Sequence, residues 1–199
     1  MKIYPSSFVR SELPAKQPRC VLGVDPSSCL GISLVSFGET FKVLYSETLR
    51  LTDTCKKRYD WRDQEAMIAR ELGKIWPKVA KQTEMIAIEI PPGGVAARAR
   101  YKRADGTWGT RDFMQPTQML LNGRILQLCE QLAPTMIITP PQVKQSFGIS
   151  GNASKERLEA EVVKLIDRIP TMEDCDILAD REAMVDASAI AHAGWNGWK

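Results

Sequence analysis

With 199 residues, of which 44% are apolar and 26% charged, this chain is large enough to bury a core of its own, and we expect one domain. No apolar run in the sequence approaches the ~20 residues needed to span a bilayer, so a membrane role is not expected. The five cysteines are scattered and include no C-x-x-C pair, which argues against a zinc site and a disulfide framework. We therefore expect reduced thiols and a cytoplasmic protein.

The first third of the chain predicts an arm, three strands and a helix. Residues 1–19 lack the apolar core of a secretory signal, and we interpret them as a flexible arm. Apolar runs between turn-forming residues predict three short strands in a meander, Arg19–Val24, Gly31–Phe37 and Phe41–Leu49. Apolar residues then recur at helical spacing from about Tyr59 to Lys81, which predicts an amphipathic helix that Pro77 bends near its end.

The remaining sequence alternates strands and helices. We predict a fourth strand at Met85–Ile90, a second helix at about Pro116–Leu132 and a fifth strand at Thr135–Thr139. A short helix reaching Phe147, a third helix from Ser154 to about Arg168 and a last helix around residues 180–192 follow. Residues 20–193 are therefore expected to form an α/β domain with a mixed five-stranded sheet flanked by helices, followed by a tail at 194–199.

Four acidic residues stand where a catalytic metal site would need them. Asp25 and Glu89 lie at the ends of predicted strands, and Glu182 and Asp186 are four residues apart on one face of the last helix. If that face packs beside the strand ends, the four carboxylates converge and repel one another unless protons or divalent cations neutralise them. Oxygen ligands favour Mg²⁺ or Mn²⁺ over zinc, so the pattern predicts a two-metal site that cleaves phosphodiesters.

The positive charge of the chain is concentrated in residues 93–111. This segment has a net charge of +4, whereas the rest of the chain sums to −1. Its cations are Arg98, Arg100, Lys102, Arg103 and Arg111. Tyr101 and Trp108 lie among them, so we interpret the segment as a loop that neutralises DNA phosphates and stacks rings on exposed bases.

Four segments, in order, resemble the RuvC family of Holliday junction resolvases, which has the RNase H-like fold. They are Val21-Leu-Gly-Val-Asp-Pro-Ser-Ser-Cys-Leu-Gly-Ile-Ser33, Ile86-Ala-Ile-Glu89, Pro141-Gln-Val-Lys-Gln-Ser-Phe-Gly-Ile-Ser-Gly-Asn-Ala-Ser-Lys-Glu156 and Asp186-Ala-Ser-Ala-Ile-Ala-His192. The resemblance covers residues from about 20 to 193. Its ordered set of motifs is more specific than any one of them.

The resemblance implies a homodimeric enzyme that resolves four-way DNA junctions by paired nicks, leaving 5′-phosphate and 3′-hydroxyl ends. It implies two Mg²⁺ ions per site, with Mn²⁺ as a substitute, held by Asp25, Glu89, Glu182 and Asp186. Lys144 and Lys155 match family positions that contact DNA near the scissile phosphate. The expected setting is the cytoplasm of a bacterial or phage-infected cell, with an organelle as the alternative. The compact size and the unusual basic loop favour a phage-type member.

One position departs from the family pattern and leaves alternatives open. Family members usually carry a ligand three residues before the last aspartate, where this chain has Ala183. We take Glu182 as the substitute and Asp180 as the fallback. Three rival functions stay open: another RNase H-like nuclease acting on flaps or hybrids, an actin-like ATP-binding protein, and a junction-binding protein that does not cut.

Overall fold

The computed structural model describes residues 16–26, 29–50, 61–90, 97–102, 105–113, 116–171, 173, 175 and 177–198. The strands are β1 (Cys20–Asp25), β2 (Cys29–Phe37), β3 (Phe41–Arg50), β4 (Met85–Glu89), β5 (Ala97–Lys102), β6 (Trp108–Phe113), β7 (Thr135–Ile138) and β8 (Ile166–Asp167). The helices are α1 (Trp61–Val79), α2 (Pro116–Leu132), α3 (Pro140–Ser146), α4 (Lys155–Leu165) and α5 (Leu178–Gly197). The predicted arm lies outside the described residues, apart from 16–19.

The main sheet is mixed and has the strand order β7-β4-β1-β2-β3-β8. β1 pairs antiparallel with β2 and parallel with β4, so it lies near the centre of the sheet. The predicted α/β fold is confirmed, but the predicted strand number of five is one too low. The additional strand, β8, has two residues and pairs only with Phe41 and Lys42, so it is too short to produce an alternating pattern in the sequence.

The sheet is covered by helices on both faces, and alternate residues of β1 supply the two cores. Val21 belongs to the cluster that includes Val185 and Ile190 of α5, whereas Leu22 and Val24 belong to the cluster that includes Ile68 of α1. Because both faces are buried, the central strands are apolar along their whole length, which is why the sequence shows them as continuous runs.

Helix α5 lies directly against the sheet because two strand positions carry no side chain. An ideal Cβ on Gly23 would lie 1.8 Å from the Ala187 carbonyl oxygen, and one on Gly31 would lie 2.0 Å from the Ala183 carbonyl oxygen. Backbone of β1 and β2 therefore contacts backbone of α5 without intervening side chains. These contacts determine how close the acidic face of α5 comes to the end of β1.

The carboxyl-terminal residues continue α5 instead of leaving it as a separate segment. The helix extends to Gly197 and so includes most of the 194–199 segment that the sequence suggested as a tail. Trp195 stacks on Phe37, with ring centroids 5.0 Å apart and planes inclined by 14°. The end of the helix is thus packed on the sheet, and none of the helices in the described residues is long and apolar enough to cross a membrane.

The basic segment, predicted as a loop, contains a β-hairpin. β5 and β6 pair antiparallel as a separate two-stranded sheet, and Gly106 has a φ of +80° in the connection between them. The prediction of a loop was wrong because Ala, Arg and Gly have little strand propensity, and pairing between neighbouring strands outweighs it here.

Candidate active site

The ends of β1 and β4 bring two carboxyl groups to one edge of the sheet. Val24 pairs with Ile88 in parallel register, so Asp25 and Glu89 leave the two strands side by side. Asp186 of α5 reaches the same place because the helix lies on the glycines of β1 and β2. Together they line one cavity with a volume of about 210 Å³, whose lining residues are Asp25, Glu89, Pro140, Val143, Lys144, Lys155, Leu158 and Asp186.

Two carboxyl groups of this cavity, those of Glu89 and Asp186, lie in an environment that disfavours their charged forms. The pKa of Glu89 is raised to about 7, first by burial and then by the nearby charges of Asp25 and Asp186, with the charge of Lys144 acting against the rise. Burial also raises the pKa of Asp186, although the hydrogen bond and charge of Lys155 oppose the rise. The cavity therefore favours the uptake of protons or cations.

Lys155 bridges the two acidic residues of α5. Its Nζ lies 2.9 Å from Asp186 Oδ2 and 3.0 Å from Glu182 Oε2. Burial lowers the pKa of Lys155, but the hydrogen bonds and charges of the two carboxylates outweigh this effect and raise it. Lys155 is the first residue of α4, and the Ser154 hydroxyl caps this helix by accepting a hydrogen bond from the Arg157 amide.

The structure separates the two candidates for the fourth acidic position. Glu182 stands outside the residues that line the cavity, but it shares the Lys155 ammonium with Asp186. Asp180 is buried and accepts a hydrogen bond from the Cys29 thiol at 3.5 Å. Ala183 is buried against Gly31, so its position is used for packing.

Lys144 reaches the cavity from α3 and also fixes the turn that precedes α4. Its Nζ donates a hydrogen bond to the Ala153 carbonyl oxygen at 2.6 Å, and its charge lowers the pKa of Glu89. Lys144 and Lys155, which the sequence suggested as DNA contacts, thus both lie beside the acidic residues. A phosphate entering the cavity would meet two ammonium groups next to the carboxylates.

The donor set of the cavity fits a hard divalent cation. Asp25, Glu89 and Asp186 offer only carboxylate oxygens. Burial is the main cause of the raised pKa of Glu89, and the charges of Asp25 and Asp186 add a repulsion that a cation would relieve. As the described residues stand, no three acidic, histidine or cysteine side chains are close enough together to hold one ion. Binding therefore requires these side chains to draw together.

The basic residues suggested for DNA binding lie mostly in the hairpin. Arg98, Arg100 and Lys102 alternate along β5 and pair with residues 112, 110 and 108 of β6, so the backbone places them on one face of the ribbon. Arg111 pairs with Ala99 and belongs to the other face. Arg103 lies outside the described residues, as do the side chains of the other four.

Sequence reasoning did not find the apolar side of the cavity or an ion pair that links α4 to α5. Pro140, Val143 and Leu158 line the cavity, and each looks like an ordinary helix residue in the sequence. Arg181 forms an ion pair with Glu159 and donates to the Pro170 carbonyl oxygen at 3.2 Å. These contacts hold α4 against α5, and no spacing rule in one sequence would reveal them.

Comparison with known proteins adds evidence about the fold. No protein-family model and no curated protein matches the sequence. Among solved structures, Thermus thermophilus RuvC is similar with a TM-score of 0.60 and 18% identity, over 90% of this chain and 95% of that one. The chain has the RuvC fold. A second structure, T. thermophilus RuvC in complex with Holliday junction substrate, gives a TM-score of 0.59 and 16% identity over 90% and 95% of the two chains.

Proposed function

We propose that this protein is a metal-dependent endonuclease that resolves four-way DNA junctions. The observation that carries the proposal is the position of three carboxyl groups and two lysines in one cavity at the strand ends of a RuvC fold. The structural relative that holds Holliday junction substrate supports branched DNA as the substrate class. Catalysis of this type needs carboxylates that bind metal ions and positively charged side chains that bind the scissile phosphate, and the cavity offers both.

The proposed metal ligands are Asp25, Glu89 and Asp186, with Glu182 as the fourth after its release from Lys155. Two Mg²⁺ ions, or Mn²⁺ in their place, would supply an activated water and stabilise the leaving 3′ oxygen, so that the products carry 5′-phosphate and 3′-hydroxyl ends. Glu89 has to lose its proton to act as a ligand. Because its pKa is about 7, the fraction of Glu89 that is deprotonated changes steeply with pH near neutrality.

The other residues of the site are proposed to bind and orient DNA. Lys144 and Lys155 would hold the scissile phosphate as point charges, and Pro140, Val143 and Leu158 would restrict water on the apolar side of the cavity. The basic segment would bind the DNA backbone through its cations, Arg98, Arg100, Lys102, Arg103 and Arg111.

We also propose that the active form is a homodimer, because two symmetric nicks in a four-way junction call for two active sites related by a twofold axis. We consider helix α2 a candidate for the interface. The exposed residues in its described half are Gly123, Arg124, Gln127, Glu130 and Gln131, so an interface there would be polar. Sedimentation of the free protein and of its junction complex measures the subunit number directly.

The test is cleavage of a labelled four-way junction, with a linear duplex and a flap as comparison substrates, in Mg²⁺, Mn²⁺ or chelator. We expect paired nicks in the junction with either metal and none with chelator. Asp25→Asn removes a ligand charge with little change in volume, so it should abolish cleavage and retain junction binding. Equal cutting of the flap would indicate a broader branched-DNA nuclease, and unchanged cutting by Asp25→Asn would refute the site.

Two further variants compare the candidates for the fourth acidic residue. Glu182→Gln should reduce cleavage strongly, because Glu182 lies close enough to Asp186 for both to pair with the Lys155 ammonium. Asp180→Asn should retain most activity, since Asp180 contacts Cys29 outside the set of cavity-lining residues. The reverse order of effects would identify Asp180 as the ligand.

A further inference from the structure

The Lys155 ammonium lies between two carboxylates that the proposed function assigns to metal. It forms ion pairs with Asp186 at 2.9 Å and with Glu182 at 3.0 Å. At these distances the ammonium makes charge-assisted hydrogen bonds with both residues, and these bonds use oxygens that a divalent cation would need. A metal ion and the ammonium therefore have to share or exchange Asp186 and Glu182.

We propose that Lys155 is a displaceable counter-ion that holds the two α5 carboxylates in place before metal binds and competes with the metal for them. The inference rests on the proposed function and deepens it, because it assigns the metal affinity of the site to one residue. Lys155 lowers metal affinity in exchange for a site that is neutralised and ordered in the absence of metal.

The exchange requires that Lys155 can leave without moving the helix that carries it. Its side chain is 47% exposed, so water is available to the ammonium when the ion pairs break. The backbone of α4 is held by the Ser154 cap and by the Arg181–Glu159 ion pair one turn later. Displacement is thus a rotation of one flexible side chain about its own bonds.

Lys144 provides a matched control within the same cavity. It lies close enough to lower the pKa of Glu89, yet its ammonium donates its hydrogen bond to the Ala153 carbonyl oxygen. Removing the charge of Lys144 therefore changes the electrostatic potential of the cavity but frees no bonded carboxylate. Removing the charge of Lys155 does both.

The experiment is a titration of the DNA-free protein with Mn²⁺ alone, following free Mn²⁺ by electron paramagnetic resonance. We expect Lys155→Gln to bind Mn²⁺ about tenfold more tightly than wild type, which corresponds to about 1.4 kcal/mol. Lys144→Gln should change the affinity by less than about twofold, and Lys155→Arg, which keeps the charge, should stay near wild type. Thermal unfolding of each variant establishes that it is folded.

Together, the possible results distinguish failure of this inference from failure of the proposed function. Equal tightening in Lys155→Gln and Lys144→Gln would mean a general charge effect and would overturn the counter-ion role. Unchanged or weaker binding in Lys155→Gln, with wild type binding normally, would overturn the inference and leave the metal site standing. Absence of Mn²⁺ binding in wild type and in Lys155→Gln would overturn both, whereas binding in Lys155→Gln only would support the inference.

Discussion

The substitution Gly23→Ala should destabilise the protein and impair the active site together. The new Cβ would lie 1.8 Å from the Ala187 carbonyl oxygen and 2.8 Å from the Ala191 amide nitrogen, both on the α5 backbone. Real Cβ contacts are essentially never shorter than 3.0 Å, so the helix and the strand have to separate by roughly an ångström at this point. Asp186 precedes Ala187 directly and moves with it.

The size of the effect follows from these contacts. Overpacking a buried site costs about 1–3 kcal/mol, and a clash with backbone belongs at the upper end because no side chain can rotate away. The lower conformational entropy of the unfolded alanine chain offsets about 0.4–1 kcal/mol. We therefore expect a loss of about 2 kcal/mol in the free energy of unfolding, and about a 100-fold loss in cleavage from a displacement of about 1 Å at the site.

Urea unfolding and junction cleavage measure the two effects in one protein preparation. The matched control is Gly73→Ala, at an exposed position of α1 where nothing lies within 4 Å of the new Cβ. This control should stabilise the protein by up to about 1 kcal/mol through helix propensity and leave cleavage unchanged. Wild-type stability and activity in Gly23→Ala would show that the contact between α5 and β1 does not position Asp186.

Three further predictions concern charge. The folded state holds a proton on Glu89 up to a pKa of about 7, whereas the unfolded chain releases it near 4.5. Wild type should therefore lose stability as pH rises from about 4.5 to 8, by about 3 kcal/mol at most, and Glu89→Gln should not show this loss. Burial lowers the pKa of His192 to about 4, so the folded state excludes a proton that the unfolded chain binds below about 6.5. As pH falls towards 4, the free energy of unfolding of wild type should therefore drop by up to about 3 kcal/mol relative to His192→Phe, which urea unfolding measures. Neutralising the basic segment should weaken junction binding and flatten its salt dependence, whereas Lys164→Gln on α4 should do neither. The residues to replace are Arg98, Arg100, Lys102 and Arg103.

The sequence was sufficient for the parts of the fold that depend on local pattern. β1 and β4 are continuous apolar runs that end in an acidic residue, so both strands and the places of Asp25 and Glu89 at their ends were predicted from the sequence. Their pairing as neighbours in the sheet was not. The spacing of Glu182 and Asp186 likewise predicted a shared helix face, and one lysine contacts both residues.

Other features depend on contacts between distant residues and had no local signal. β8 exists because Ile166 and Asp167 pair with β3, and the segment otherwise looks like the end of a helix. The extension of α5 through Trp195 depends on Phe37 and Phe41, more than 150 positions earlier in the chain. The role of Lys155 as a partner of two acids required the packing of α4 on α5, which Arg181 and Glu159 provide.

The same packing that assembles the acidic cavity prevents it from relaxing. Repulsion among Asp25, Glu89 and Asp186 would be relieved if α5 moved outward, but the helix is held by backbone contacts at Gly23 and Gly31 and by the aromatic contacts of Trp195. Protons on Glu89 and the Lys155 ammonium relieve part of the repulsion instead. The backbone frame thus keeps the carboxylates near one another, so a cation that draws their side chains together would relieve a repulsion that folding has already imposed.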